Sequence, residues 1–161
     1  MPATASPASL ELPPGRLEAL IETHRHQPGA LLPLLHAIQD ELGHIPDAAV
    51  APIAEALQLS RAEVHGVITY YHFFRREPAG RHVLQVCRAE SCQACGAEAL
   101  LAQAGRALEC GVGQTRADGA VTLEPVYCLG LCSLSPALML DGRLHARVTP
   151  ERLDGLLEAL R

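Results

Sequence analysis

The chain has 161 residues, 48% of them hydrophobic, which is enough to bury roughly two-thirds of its unfolded surface in a packed core. Its formal net charge is −5 and all 13 basic residues are arginine, an acidic balance that argues against nucleic acid as a partner. No apolar stretch approaches the roughly 20 residues needed to cross a bilayer, so we expect no direct membrane insertion.

The first residues are rich in Pro, Ala and Ser and contain neither a basic n-region nor an apolar h-region. We therefore predict a flexible leader over residues 1–13 and a cytoplasmic protein.

The segment after the leader shows the apolar spacing of four helices. The first is predicted over Pro14–Arg25, and the second ends at Gly43, which suits the left-handed conformation after a helix C-terminus. Asp47 is predicted to cap the third helix, and Ser60 with Glu63 forms a capping box at the start of the fourth. The side chains predicted to face the core are Leu17, Leu20, Ile21, Leu31, Leu34, Leu35, Ile38, Leu42, Val50, Ile53, Leu57, Val64, Val67, Ile68 and Tyr71.

The turn at residues 57–60 is also compatible with a helix-turn-helix motif. Residues 1–80 contain five arginines and nine acidic residues, however, and a module that reads DNA needs a basic second helix. We therefore predict no nucleic-acid binding.

From Gly80 onward the pattern changes to short strands and helices. A strand is predicted to end at Val86, and a helix to follow over Ala94–Ala104. Two-residue hairpin turns are predicted at Asp118-Gly119 and Asp141-Gly142. A closing helix is predicted with Thr149 as its cap, Pro150 at its first position and four inward leucines, Leu153, Leu156, Leu157 and Leu160. A cis peptide bond is predicted at Ser135–Pro136.

Four of the six cysteines form two close pairs. Cys87 and Cys92 are separated by four residues, and Cys128 and Cys132 by three. A 2Fe-2S cluster takes four thiolates, so two pairs on two loops can supply its ligands. The strand before Cys87 and the helix after Cys92 predict that helix N–H groups stabilise anionic sulfur near the first pair. Gly130 lets the backbone of the second pair approach a cluster closely.

Three other roles for these cysteines stay open from their spacing. Structural disulfides need an oxidising compartment, for which no export signal is visible. Zinc also binds four cysteines, although its sites more often use pairs separated by two residues. The third alternative is a thioredoxin-like dithiol oxidoreductase, because Cys92 and Cys95 form a C-x-x-C motif at a predicted strand-to-helix junction.

Several longer motifs accompany the cysteines. They are Leu31–Gly43, Leu57–Gly66, Tyr70–Phe74, Val86–Cys92, Gly113–Cys132 and Ser135–Leu140. Together they resemble the thioredoxin-like 2Fe-2S subunit family of NADH:quinone oxidoreductase (complex I), from about residue 14 to the end of the chain. Within this family, Cys87–Gln93 and Cys128–Pro136 are most similar to the gamma subunit of soluble NAD-dependent formate dehydrogenase, and next to the related subunit of NAD-reducing hydrogenase.

The resemblance implies an α+β protein with an N-terminal helical bundle over residues 14–78 and a thioredoxin-like α/β 2Fe-2S ferredoxin domain over residues 79–161. It implies that the ligands of one 2Fe-2S cluster are Cys87, Cys92, Cys128 and Cys132. Cys95 and Cys110 lie outside this ligand pattern and are expected to pack as small, fairly apolar side chains. Cys95 is also close enough in sequence to Cys92 to substitute as a ligand or to become oxidised.

The resemblance further implies an electron-transfer subunit with no catalytic residues of its own. It would work next to the flavin of a partner NAD-binding flavoprotein, in an NAD-dependent formate dehydrogenase, with NAD-reducing hydrogenase or complex I as alternatives. FMN and NAD are expected on that partner, since Gly111-Val-Gly113 lacks the continuation of a phosphate-binding loop. The bundle is expected to contact partner subunits, and the candidate residues are Tyr70, Tyr71, Phe73, Phe74, Arg75 and Arg76.

Overall fold

A computed structural model of the protein describes residues 15–158 and 160, which fall into two compact units divided between Pro78 and Ala79. Residues 15–78 are termed the helical unit, and residues 79–158 with 160 the sheet unit. The predicted leader, residues 1–13, lies outside the described residues, as does Pro14 at the predicted start of the first helix. None of the helices in the described ranges is both long and apolar enough to span a bilayer.

The helical unit contains all four predicted helices, α1 (Arg16–His24), α2 (Leu31–Leu42), α3 (Asp47–Leu57) and α4 (Arg61–Tyr70). Their apolar faces meet in one core, because each helix is too polar on its other face to be buried all round. The side chains with no exposed surface in this core are Leu34, Leu35, Ile38, Ile53 and Val64.

Two predicted helix ends are confirmed. Gly43 follows α2 with a φ of 73°, a left-handed conformation that glycine adopts without strain. At the start of α4, the Ser60 hydroxyl accepts from the Glu63 N–H at 3.1 Å, and the Glu63 carboxylate accepts from the Ser60 N–H at 2.7 Å. The backbone hydrogen bond from Ser60 and the bond from its hydroxyl lower the pKa of Glu63. Both ends of the capping box are therefore in place.

The predicted core positions of α3 and α4 need correction. In α3, Ile53 is buried as predicted, but Ala49 and Ala54 are the other buried residues, and Val50 and Leu57 are only partly buried. The prediction for Tyr71 is wrong, because α4 ends at Tyr70 and Tyr71 has an extended backbone, so its side chain leaves the helical stripe and is 43% exposed. Phe74 is the aromatic residue that enters the core.

The sheet unit begins with β1 (His82–Cys87) and continues with three helices, four further strands and one 3-10 turn. In chain order these are α5 (Glu90–Ala94), α6 (Ala97–Leu108), β2 (Gln114–Thr115), β3 (Val121–Val126), the turn Cys132–Leu134, β4 (Leu138–Leu140), β5 (Arg143–His145) and α7 (Pro150–Glu158). The Thr149 hydroxyl caps α7 by accepting from the Arg152 N–H at 3.3 Å, as predicted. Three of the four leucines predicted to face inward, Leu153, Leu157 and Leu160, are buried, and Leu156 is partly buried.

The five strands form one mixed sheet in the order β2-β3-β1-β4-β5. β1 and β3 are parallel, with Cys87 opposite Val126, and the remaining pairs are antiparallel. The core combines Leu84 and Leu138 of the sheet with leucines of α6 and α7. The predicted α+β class is confirmed.

The predicted helix Ala94–Ala104 corresponds to α6, which begins three residues later at Ala97, and a separate short helix, α5, precedes it. Gly96 lies between α5 and α6 with a φ of 89°, and this left-handed residue ends the first helix before the second begins. Cys92 therefore lies inside a five-residue helix instead of just before a long one.

The two predicted hairpins differ in their connections. Asp141 and Gly142 both have positive φ values, 50° and 78°, and join β4 to β5 with Leu140 opposite Arg143, the predicted two-residue turn. In the other hairpin the last strand pair is Thr115 with Thr122, so the connection is longer than the predicted two residues at Asp118-Gly119. The Asp118 side chain accepts from the Ala120 N–H at 3.0 Å and so stabilises the wider loop.

We predict opposite stability effects for two glycine-to-alanine substitutions in the sheet unit. A Cβ at Gly80 would lie 2.9 Å from the backbone N and C atoms of Val121, so Gly80→Ala should reduce the free energy of unfolding by about 1–3 kcal/mol. Gly155 in α7 has no atom within 4 Å of the added Cβ, so Gly155→Ala should increase it by about 0.5–1 kcal/mol. Guanidinium unfolding of both variants checks this, and equal shifts in the same direction would contradict it.

The carboxylate of Asp141 is expected to make the stability of the sheet unit sensitive to acid. Partial burial raises its pKa, but hydrogen bonds from His82 at 2.7 Å and from the Val83 N–H at 2.8 Å outweigh this and hold the pKa below the ordinary 3.8. Stability from this carboxylate is present above the ordinary pKa and is lost as the pH falls through the lowered folded value. Asp141→Asn should flatten the decrease in stability below about pH 4 in acid-unfolding curves, since asparagine tolerates the positive φ. If Asp141→Asn loses stability below about pH 4 as steeply as the unsubstituted protein, Asp141 does not have this role.

Candidate functional site: four thiols on two loops

The sheet register brings the two cysteine pairs together. Because β1 and β3 are parallel and Cys87 is opposite Val126, the loops that follow these strands leave the sheet at the same edge. The first loop leads into α5, which carries Cys92. The second carries Cys128 and leads to Cys132, the first residue of the 3-10 turn.

The first pair is buried, with Cys87 and Cys92 each 2% exposed. Small and branched apolar side chains surround them, namely Ala89, Ala97, Val126, Leu129, Leu131 and Ala137. The second loop lies against this pair, since the Ser135 hydroxyl oxygen is 3.4 Å from the Cys92 sulfur and the Ser91 hydroxyl oxygen is 2.9 Å from the Cys132 carbonyl oxygen. The two loops therefore meet beside Cys92.

The second pair faces solvent. Cys128 and Cys132 are exposed, and their sulfur atoms are 3.6 Å apart. Positive φ values at Cys128 (109°) and Gly130 (76°) curl this loop, so that the Gly130 N–H donates to the Cys128 sulfur at 3.4 Å. Gly130 supports the predicted close backbone approach, since it adopts this conformation without strain.

The electrostatics of the site differ between the buried and the exposed thiols. Burial raises the pKa of Cys87, but the N–H groups of Ala89, Leu129 and Cys128 and the Cys92 thiol outweigh it, so the net pKa is lowered. The pKa of Cys132 is raised, first by its hydrogen bond to Cys128 and then by the charges of the neighbouring thiols. The site therefore favours a thiolate at Cys87 and disfavours one at Cys132.

The stabilising N–H groups have two sources. One is the start of α5, because Ala89, whose N–H lowers the pKa of Cys87, is the N-cap residue of this helix, and Cys92 lies in its first turn. The others are amides of the second loop, at Cys128, Leu129 and Gly130.

Two serines near the cysteines are not predicted by the sequence. Ser91 and Ser135 are half-buried, and their hydroxyl oxygens are 2.8 Å apart. Ser135 also lies 3.4 Å from the Cys92 sulfur. The only sequence signal is their position within three residues of a paired cysteine. Ser135 also precedes Pro136, and the peptide bond between them is cis as predicted.

The other two cysteines lie outside this group. Cys95 follows α5 and is exposed, so the expectation that it packs as a small apolar side chain is wrong. Cys110 is buried in the core of the sheet unit, and its thiol donates to the Gln114 carbonyl at 3.1 Å, which fits a small packed side chain. Within the described ranges, no group of three or more His, Cys, Asp or Glu side chains is placed to hold one metal ion. A 2Fe-2S cluster differs from such a site, because each of its irons needs only two thiolates from the protein.

The chain is similar in sequence to a known family model and to several known proteins. Residues 17–161 match the family model described as thioredoxin-like [2Fe-2S] ferredoxin. The chain is 39% identical to a subunit of the NADH-quinone oxidoreductase of Pseudomonas aeruginosa over 86% of its own length and 84% of the relative's. It is 37% identical to the corresponding NADH-quinone oxidoreductase subunit of Escherichia coli K12, over 85% and 84% of the two chains.

A solved structure has a similar fold. A chain of an NAD+-reducing [NiFe]-hydrogenase in the air-oxidized state superposes with a TM-score of 0.67 and 29% identity. The match covers 86% of the present chain but only 24% of the hydrogenase chain, so it corresponds to about a quarter of that protein chain. The predicted thioredoxin-like ferredoxin fold is confirmed by the family match.

Proposed function

The chain belongs to the thioredoxin-like [2Fe-2S] ferredoxin family, and from that premise we propose that it is an electron-transfer subunit with one 2Fe-2S cluster on Cys87, Cys92, Cys128 and Cys132. The observation that carries the proposal is the parallel register of β1 and β3, which brings the loops with the two cysteine pairs together, so that Ser135 of the second loop lies 3.4 Å from the Cys92 sulfur. When bound, the cluster accepts and releases single electrons.

The thiol geometry supports this ligand set. A tetrahedral metal ion that binds two thiolates at about 2.3 Å holds their sulfur atoms about 3.8 Å apart. The 3.6 Å between the sulfurs of Cys128 and Cys132 is close to that value, so these two could hold one metal ion together. The loop amides compensate the negative charge of the four thiolates, and the apolar shell excludes water from the inner pair.

The partner is proposed to be an NAD-binding flavoprotein that carries FMN and NAD, in a cytoplasmic oxidoreductase complex. The names of the NADH-quinone oxidoreductase relatives and of the NAD+-reducing hydrogenase support an NAD-linked complex. Formate dehydrogenase is preferred because of the motifs Cys87–Gln93 and Cys128–Pro136. NAD-reducing hydrogenase and complex I are the alternatives. In this proposal hydride transfer and substrate oxidation take place on other subunits.

The helical unit is proposed to contact that partner. Tyr70 and Phe73 are 74% and 55% exposed, an unusual position for large aromatic side chains unless a partner covers them. Arg76 forms an ion pair with Asp47 at 3.0 Å, which holds the segment after α4 against the start of α3.

Anaerobic purification of the tagged full-length chain from its native cells tests the proposal. We expect two irons and two sulfides per chain, a reducible S = 1/2 EPR signal, and co-purification of a flavoprotein with a formate dehydrogenase catalytic subunit. Hydrogenase or membrane subunits in its place would select an alternative complex. A chain that holds no iron after reconstitution and reduces disulfides would establish the dithiol oxidoreductase instead.

A further inference from the structure

Two serine hydroxyls connect the cysteine loops. Ser91 precedes Cys92 in α5, and Ser135 follows the turn that begins at Cys132. Their oxygen atoms are 2.8 Å apart, and both lie near the Cys132 carbonyl oxygen, at 2.9 Å from Ser91 and 3.0 Å from Ser135. Ser135 is also 3.4 Å from the sulfur of Cys92.

The number of protons restricts how these groups can bond. Each hydroxyl has one proton to donate, and the 2.8 Å separation requires one proton between the two oxygens. If Ser135 donates to Ser91, then Ser91 donates to the Cys132 carbonyl and the Cys92 thiol can donate to Ser135. If Ser91 donates to Ser135, the Ser135 proton is free for the Cys132 carbonyl or the Cys92 sulfur.

The charge of the Cys92 sulfur selects between these arrangements. A metal-bound thiolate has no proton, so it can only accept a hydrogen bond. Hydrogen bonds to a charged acceptor are roughly twice as strong as those to a neutral one, so the Ser135 proton favours the thiolate over the Cys132 carbonyl. With a thiolate at Cys92, the chain of bonds therefore runs from Ser91 to Ser135 to sulfur.

We propose that Ser135 donates a hydrogen bond to the Cys92 sulfur and thereby raises the reduction potential of the cluster, and that Ser91 is a positioning residue that orients the Ser135 hydroxyl. This inference rests on the ligand set in the proposed function. Reduction adds negative charge to the cluster and its sulfur ligands, and a hydrogen-bond donor stabilises the more negative state.

Redox titration of the cluster-loaded full-length chain, followed by EPR, tests the inference. Ser135→Ala should lower the equilibrium constant for one-electron reduction of the cluster three- to tenfold. This corresponds to a fall in midpoint potential of up to about 59 mV. Ser135→Thr keeps the hydroxyl and should restore the potential. Ser91→Ala should lower it by a smaller amount, because the Ser135 proton is then shared with the Cys132 carbonyl.

The matched control is Ser133→Ala. Ser133 lies in the 3-10 turn just before Ser135 and is exposed, and no hydrogen bond joins its hydroxyl to any of the four sulfurs in the described part of the chain. The midpoint potential of the cluster in Ser133→Ala should equal that of the unsubstituted protein. Equal potentials for Ser135→Ala and Ser133→Ala would overturn the inference while leaving the proposed function intact.

Two further outcomes are also decisive. If Ser135→Ala does not retain a cluster, the potential of Ser91→Ala decides, and an unchanged value overturns the inference. If the unsubstituted chain itself holds no 2Fe-2S cluster, the proposed function fails first, and the inference fails with it.

Discussion

Cys92→Ser is expected to lose the 2Fe-2S cluster, whereas Cys95→Ser, three positions along the chain, is expected to keep it. Cys92 is 2% exposed and shares its apolar cluster with Cys87, while Cys95 is exposed at the end of α5. Removing one of four thiolates leaves an iron with an incomplete ligand set. The measurement is iron and acid-labile sulfide per chain after identical anaerobic reconstitution, with about two of each expected for Cys95→Ser and close to none for Cys92→Ser.

This pair of variants also separates the cluster from the dithiol alternative. A dithiol enzyme needs both Cys92 and Cys95, so both variants would lose its disulfide reductase activity equally. Cys128→Ser extends the comparison, since it should abolish the cluster but would leave such a dithiol intact. Retention of a full cluster in Cys128→Ser would contradict the proposed ligand set.

Leu84→Ala is expected to give the largest loss of stability among substitutions in the sheet unit. Leu84 has no exposed surface and lies on the central strand β1, where it is opposite Leu123 of β3 and Leu140 of β4. Truncation removes buried methyl groups and leaves a cavity that the surrounding sheet cannot close. We expect the free energy of unfolding to fall by about 2–5 kcal/mol.

Guanidinium unfolding of the reduced, cluster-free protein measures this effect without the contribution of bound iron. Leu144→Ala is the matched control, because the same side chain on the edge strand β5 is 52% exposed. Its stability should stay within about 0.5 kcal/mol of the unsubstituted protein. Similar losses for both leucines would show that the centre of the sheet is not the main source of stability.

Much of the fold could be predicted from local signals. The stripe along α2, the Ser60 capping box and the Thr149 cap depend on residues within one or two turns of each other, and all three are present. The prediction failed where the backbone conformation of one residue decides where a helix ends. Gly96 is such a residue, because a glycine in a helical pattern can either continue a helix or end it. Tyr71 failed for a related reason, since apolar spacing alone does not indicate the last residue of a helix.

The site, too, has features that the sequence predicts and features that it does not. The spacing of the cysteines and the strand-loop pattern predict that two loops carry the four thiols, and the parallel register of β1 with β3 brings those loops to one edge. The amide donors at Cys128 and Leu129 and the contact between Ser91 and Ser135 join residues that are far apart in sequence. No local pattern encodes such contacts, because they depend on how one loop lies over the other.

The contrast between the buried and the exposed thiols determines how the protein can be damaged. Air and chelators reach Cys128 and Cys132 first, since these two face solvent. Once the metal is lost, two thiols 3.6 Å apart are well placed to oxidise to a disulfide, which would remove half of the binding capacity in one reaction. Cluster-free protein handled in air should therefore need a thiol reductant before it can be reloaded, even though its inner pair is still protected.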